Sequence, residues 1–180
     1  AFAAVLPDFA AVLVGLGVAL WQAGVARAEA ARAEQVKQFI ASIFNQARPR
    51  QGQGGVVTAS DLLAAAAQRI ESELTSNPRV ASELGVMVAE GFNVLGEPAN
   101  GEAPLRSAVA RGEPIYGRQH PTVLWAKVLL ADSIDEQDPQ AALRVLAEVL
   151  PSARAGLPDT AKTLTTALYL QSYSLAKGNR

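Results

Sequence analysis

Residues 116–150 read YGRQHPTVLWAKVLLADSIDEQDPQAALRVLAEVL, and the punctuation of this stretch decides the fold. Gly117 to Pro121 is a turn cluster. Proline at a first helical position needs no N–H partner and already has a helical φ, so Pro121 marks a helix start. Thr122 to Ile134 then continue without a breaker. Asp138-Pro139 repeats the start signal, and Ala142, Leu143, Leu146, Val149 and Leu150 follow at helical spacing. Two helices joined by so short a turn lie antiparallel.

Working outward, the same grammar recurs. A helix is expected near Arg79 to Leu95, with Val80, Leu84, Met87, Val88, Phe92 and Leu95 on its apolar face. Gly96-Glu97-Pro98 turns the chain. The next helix, Ala103 to Ile115, is weak on paper. Pro98, Pro104, Gly112 and Pro114 interrupt it, and a mid-helix proline costs about 3 kcal/mol, so it should be short or broken. Gly156-Leu157-Pro158 turns into a fifth helix carrying Leu164, Leu168 and Tyr173. Prolines 78, 121 and 158 are 43 and 37 residues apart, the spacing of a two-helix repeat.

Ahead of this repeat region (78–180) lie four further segments. Residues 58–77 read as a packing helix. It opens on Thr58-Ala59-Ser60-Asp61, a capping-box-like start, and presents Leu62, Leu63, Ala66, Ala67, Ile70 and Leu74 on one face. Residues 48–57 read as a linker. Its RPRQGQGG string, Arg48 to Gly55, lacks the Gly-Lys-Ser/Thr of a phosphate loop. Residues 27–47 read as a juxtamembrane amphipathic stalk with Val36, Phe39, Ile40, Ile43 and Phe44 on one stripe, and the stalk is a candidate homodimer contact. Residues 1–26 read as a transmembrane helix. Phe9 to Ala26 carry no charge, Trp21 sits near one end, and a span needs roughly 20 apolar residues. A signal peptide and a buried soluble helix are the alternatives. Membrane attachment is thus expected through residues 9–26.

Composition bounds the chemistry. A net charge of −1 offers no basic field for a polyanion, so nucleic acid is not an expected partner. The absence of cysteine excludes a disulfide framework, a zinc–thiolate site and a cysteine nucleophile in this chain. No hydrolase, metalloprotease or kinase catalytic string occurs. No cofactor, metal or catalytic residue is therefore expected. His120, the single histidine, reads as a turn or cap residue. Asp132, Asp135, Glu136 and Asp138 read as a solvated turn, because calcium-loop spacing is absent. Trp125, Tyr169 and Tyr173 are the candidate partner-binding residues, with burial in the core the alternative for Trp125 and Tyr169.

Leu95-Gly96, Leu105, Ala108, Phe92 and Gly117-x-x-His120-Pro121 resemble tetratricopeptide repeats of the longer kind, and Ala142, Leu146 and Val149 repeat the pattern. About two and a half repeats are implied, with 170–178 in the first helix of a third repeat that lacks its partner. Gly101 departs from the alanine that the family prefers. The larger order resembles the region downstream of the catalytic domain in bacterial transmembrane serine/threonine protein kinases with tetratricopeptide halves. That order is an apolar run ending VALWQAGVARAEAARAEQVKQFIASIF, a glycine-rich break, TASDLLAAAAQRIESEL, then repeats. The expected fold is all-α: an N-terminal transmembrane helix and stalk, then a tetratricopeptide-like helical-repeat solenoid. The resemblance implies a single-pass protein of the bacterial inner membrane with extracytoplasmic repeats. It also implies a non-catalytic, sensory protein-interaction region that binds a protein or peptide, with the kinase chemistry outside this chain. The equivalent tail of a membrane-bound transcription regulator and a soluble helical scaffold are the other readings.

Overall fold

A computed structural model describes residues 5–46, 57–155 and 160–178, and every long regular element among them is an α-helix. The order is α1 (Val5–Gln46), α2 (Ala59–Glu73), α3 (Pro78–Val94), a 3-10 turn (Pro98–Gly101), α4 (Glu102–Tyr116), α5 (Pro121–Asp135), α6 (Pro139–Arg154) and α7 (Ala161–Gly178). The expected all-α class holds. The expected linker and the turn at 156–158 fall largely outside the described residues.

The chain divides into two compact units, 1–42 and 43–180. In the first, α1 runs unbroken through the segments read as span and stalk. Leu16, Val18, Leu20, Trp21 and Val25 are all exposed. Lys37 reaches Glu34 at 3.4 Å, an exposed pair that solvent screens. Of the expected stalk stripe, only Val36 has described surroundings, and it is half-buried.

Among the described residues no helix is long and apolar enough to cross a membrane. This overturns the span read over residues 9–26, and with it the single-pass inner-membrane placement and the extracytoplasmic side assigned to the repeats. Within the residues whose surroundings are described, α1 carries Arg27, Glu29, Glu34 and Lys37, charges that a helix crossing a bilayer would have to bury.

In the second unit the caps are local and legible. Thr58 and Asp61 exchange a full capping box at the start of α2. Asn77, His120 and Asp138 accept from the first-turn N–H groups of Val80, Thr122 and Ala141, each followed by a proline at the first helical position. Gly96 adopts φ 74° after α3, the left-handed conformation that ends many helices.

Packing follows the chain: α2 on α3, α3 on α4, α4 on α5, α5 on α6 and α6 on α7. In addition α5 touches both α3 and α7. The odd-numbered helices α3, α5 and α7 therefore lie side by side, while α4 and α6 each bridge two of them. The core runs through this stack as one cluster that includes Ala89, Leu105, Leu124, Val128, Leu146, Val149, Ala167 and Leu170.

α4 is not short or broken. It runs 15 residues from Glu102 to Tyr116. Pro104 falls in the first turn, where N–H groups have no intrahelical acceptor, and Pro114 falls in the last turn. Gly112 is buried where α4 meets its neighbours: a Cβ there would lie 2.9 Å from Ser82 Oγ and 3.3 Å from Val123 Cγ2. It is a close-approach glycine and does not break the helix.

Candidate partner-binding face

Because α3, α5 and α7 lie side by side, one stripe from each helix meets on a shared face. The α3 stripe is Glu83, Met87, Glu90 and Val94. The α5 stripe is Thr122, Trp125 and Asp132, with Leu129 beneath it in the core. The α7 stripe is Lys162, Thr166, Tyr169 and Tyr173. Each follows helical spacing, opposite or beside the positions buried in the core.

Polar bonds stitch the three stripes together. The Trp125 indole N–H donates to Glu90 Oε1 at 2.7 Å. The Lys162 ammonium lies 3.9 Å above the Trp125 ring centroid and 3.6 Å from the same Glu90 oxygen. Asn93 donates to Asp132 Oδ2 at 3.2 Å. Asp135 accepts from the Ser174 hydroxyl and from Lys177 at 2.9 Å, and Lys177 stands 4.7 Å over the Tyr173 ring. Tyr169 and Tyr173 stack at 6.4 Å with planes 12° apart. At one end, Tyr116 donates to Glu83, stacks on His120 at 4.7 Å and lies under the Arg79 guanidinium.

The three sequence candidates behave differently. Trp125 is half-buried and packs against the core with its ring edge tied to Glu90. Tyr169 and Tyr173 are 66% and 48% exposed. Met87, assigned to the apolar core face from its spacing, is 50% exposed, and Val94 is 87% exposed. α3 has more apolar residues than its neighbours cover, and spacing alone does not say which are left over. His120 caps α5 as expected, its Nδ1 accepting from Thr122 N–H.

The acidic cluster read as a solvated turn needs correction. Asp135 is only 4% exposed, and Asp132 is partly buried between α3 and α5. Glu136 and Asp138 are exposed. The partners that make burial tolerable, Ser174 and Lys177, come from α7 and were out of reach of a local reading. Among the described residues no group of three or more histidine, aspartate or glutamate side chains converges to hold a metal ion.

Burial raises the Asp132 carboxyl above its ordinary value. The bond from Asn93 opposes this, nearby Asp135 adds to it, and Lys177 opposes it. The unfolded chain therefore loses this proton at lower pH than the folded protein does. Stability falls as pH rises through that window, and the cost is present in full at neutral pH. Asp132→Asn should raise stability at pH 7 by a few tenths of a kcal/mol, up to about 0.5, because the amide oxygen still accepts from Asn93. The gain should vanish below about pH 3, where the carboxyl is protonated in both states. Paired urea melts at the two pH values check this, and a variant less stable than wild type at neutral pH would contradict it.

A second concavity of about 360 Å³ lies between α2 and α4, lined by Ala67, Gln68, Ile70, Glu71, Gly85, Ala103, Pro104 and Ser107. Its Glu71 carboxylate is held by Arg111 at 2.6 Å.

No protein-family model, no curated protein and no solved structure matches the chain.

Proposed function

We propose that residues 78–178 form a degenerate tetratricopeptide-like repeat module that binds a protein or peptide segment on the α3/α5/α7 face and performs no catalysis itself. One observation carries the reading: the three helices share a face on which Met87, Val94, Tyr169 and Tyr173 are exposed around a half-buried Trp125. Aromatic and methionine side chains with an apolar body and a polar rim are the residues that anchor protein contacts. Their recurrence on alternate helices, with α4 and α6 packed behind, supports a repeat surface of the kind that takes extended segments or partner helices.

Selection of displayed random peptides against the full chain tests the proposal. Selected peptides should bind the wild type. The double variant Tyr169→Ala/Tyr173→Ala should weaken them at least tenfold, about 1.4 kcal/mol, with little change in melting temperature because both rings are largely exposed. Failure to select any peptide, or binding indifferent to this variant, would overturn the reading.

The serine/threonine-kinase setting rests on the sequence resemblance alone. Coding sequence upstream of Ala1 tests it: kinase catalytic motifs there support it, and a DNA-binding domain overturns it in favour of a transcription regulator.

A further inference from the structure

Trp125 already holds a cation. The Lys162 ammonium stands 3.9 Å above its ring centroid and 3.6 Å from Glu90 Oε1, the oxygen that also accepts the indole N–H. An aromatic face beside a carboxylate is a seat for a positive side chain, because the ring quadrupole and the full negative charge act on the same spot. Half of the carboxylate is unused. No described residue bonds to Glu90 Oε2, and the Glu90 side chain is 40% exposed.

The present occupant is held loosely. A separation of 3.6 Å is too long for a charge-assisted hydrogen bond, which runs about 2.7–2.9 Å. The Lys162 side chain is 70% exposed, so water competes for its ammonium throughout. That ammonium is compact and strongly hydrated, and it returns to solvent at little cost. A guanidinium is the better guest. It is planar and weakly hydrated, stacks on an indole and grips a carboxylate with two N–H groups.

The charge around the seat favours the same guest. The three stripes bring Glu83, Glu90 and Asp132 to this face against Lys162 alone. Lys177, at one end, is paired with buried Asp135, and Arg79 stands at the other end over Tyr116. Once Lys162 swings out, the remaining field between those ends is anionic. Met87 and Tyr169, exposed on the adjoining stripes, offer cover for the apolar stem of a long basic side chain.

We infer that the partner segment taken by the α3/α5/α7 face is basic, and that one of its arginine side chains replaces Lys162 between the Trp125 ring and the Glu90 carboxylate. The inference rests on the reading of this face as a peptide-binding surface and adds the chemistry of the peptide. Lys162 is then a competitor built into the fold: it fills the seat when no partner is present and lowers the affinity of every partner that must evict it.

The displayed-peptide selection supplies the probe. Recovered peptides should carry arginine well above its frequency in the library. The tightest of them, labelled with fluorescein, is titrated into the full chain and read by anisotropy. Glu90→Gln should weaken it about tenfold, although the amide oxygen still accepts the Trp125 indole N–H. Changing the peptide's arginine to glutamine should cost as much. Lys162→Met should tighten binding about threefold at an unchanged melting temperature, because the side chain is largely exposed, and a misfolded variant cannot mimic a gain. Peptides recovered without basic enrichment, yet lost on Tyr169→Ala/Tyr173→Ala, would overturn this inference and leave the aromatic face standing as a binding surface. Acidic peptides weakened by Lys162→Met would overturn it in favour of Lys162 as the anchor. An arginine peptide indifferent to both Glu90→Gln and Lys162→Met overturns it too. Failure to recover any peptide overturns the binding surface and this inference with it.

Discussion

Leu146→Ala is expected to destabilise the second unit by about 3 kcal/mol. Leu146 is 0% exposed and sits midway along α6, within the cluster that joins α4, α5, α6 and α7. Truncation removes the transfer free energy of the side chain and leaves a cavity between helices that are anchored at both ends. Leu→Ala changes in such sites span about 2–5 kcal/mol, and the packing of α6 on both α5 and α7 limits collapse. For a chain of this size each kcal/mol lowers the melting temperature by roughly 2–4 °C, so a fall near 9 °C is expected. Urea denaturation and a thermal melt measure it. A loss below about 1 kcal/mol would mean that α6 is not packed where Leu146 places it.

Gly112→Val is expected to cost about 2–3 kcal/mol, opposite in sign to what helix propensity alone would give. In an exposed helix interior, glycine is the worse residue by a few tenths of a kcal/mol. Here the side chain has no room: Ser82 Oγ, itself donating to the Ala108 carbonyl at 2.8 Å, lies 2.9 Å from the new Cβ, and Val123 Cγ2 lies 3.3 Å away. A branched side chain must break the Ser82 bond or push α4 away from α3 and α5, and overpacking a filled contact costs about 1–3 kcal/mol. Denaturant melts check the sign. Equal or higher stability in the variant would show that α4 does not approach its neighbours this closely.

Much of the second unit was legible because its signals are local. The Thr58–Asp61 box, the caps Asn77, His120 and Asp138, the prolines behind them and the period of the apolar residues all act within one or two turns. The site was legible only in part. Tyr169 and Tyr173 were candidates for their chemistry, but Glu90 and Lys162, which bracket Trp125, drew no notice, because charged residues at helical spacing read as a solvated face. Nothing local marked Asp135 for burial, since its partners Ser174 and Lys177 are 39 and 42 residues away.

The apolar run over residues 9–26 shows the limit of composition. A lack of charge over 18 residues suggested a span, yet no described helix is long and apolar enough to cross a membrane. The helix expected over Ala103 to Ile115 erred the other way. Its prolines looked like breakers, but Pro104 lies in the first turn of α4, where an N–H has no intrahelical acceptor, and Pro114 gives up a single bond close to the helix end.

What the sequence determined by itself is therefore the alphabet of the fold: helices, their caps and their order, because backbone hydrogen bonding and capping are satisfied between residues close in the chain. Tertiary structure alone decided which apolar residues are buried. Met87 and Val88 are neighbours on one helix, yet one is half exposed and the other sealed. Burial depends on whether a neighbouring helix covers a residue, and the covering helices lie tens of residues away. The aromatic face and the buried Asp135 both follow from that choice.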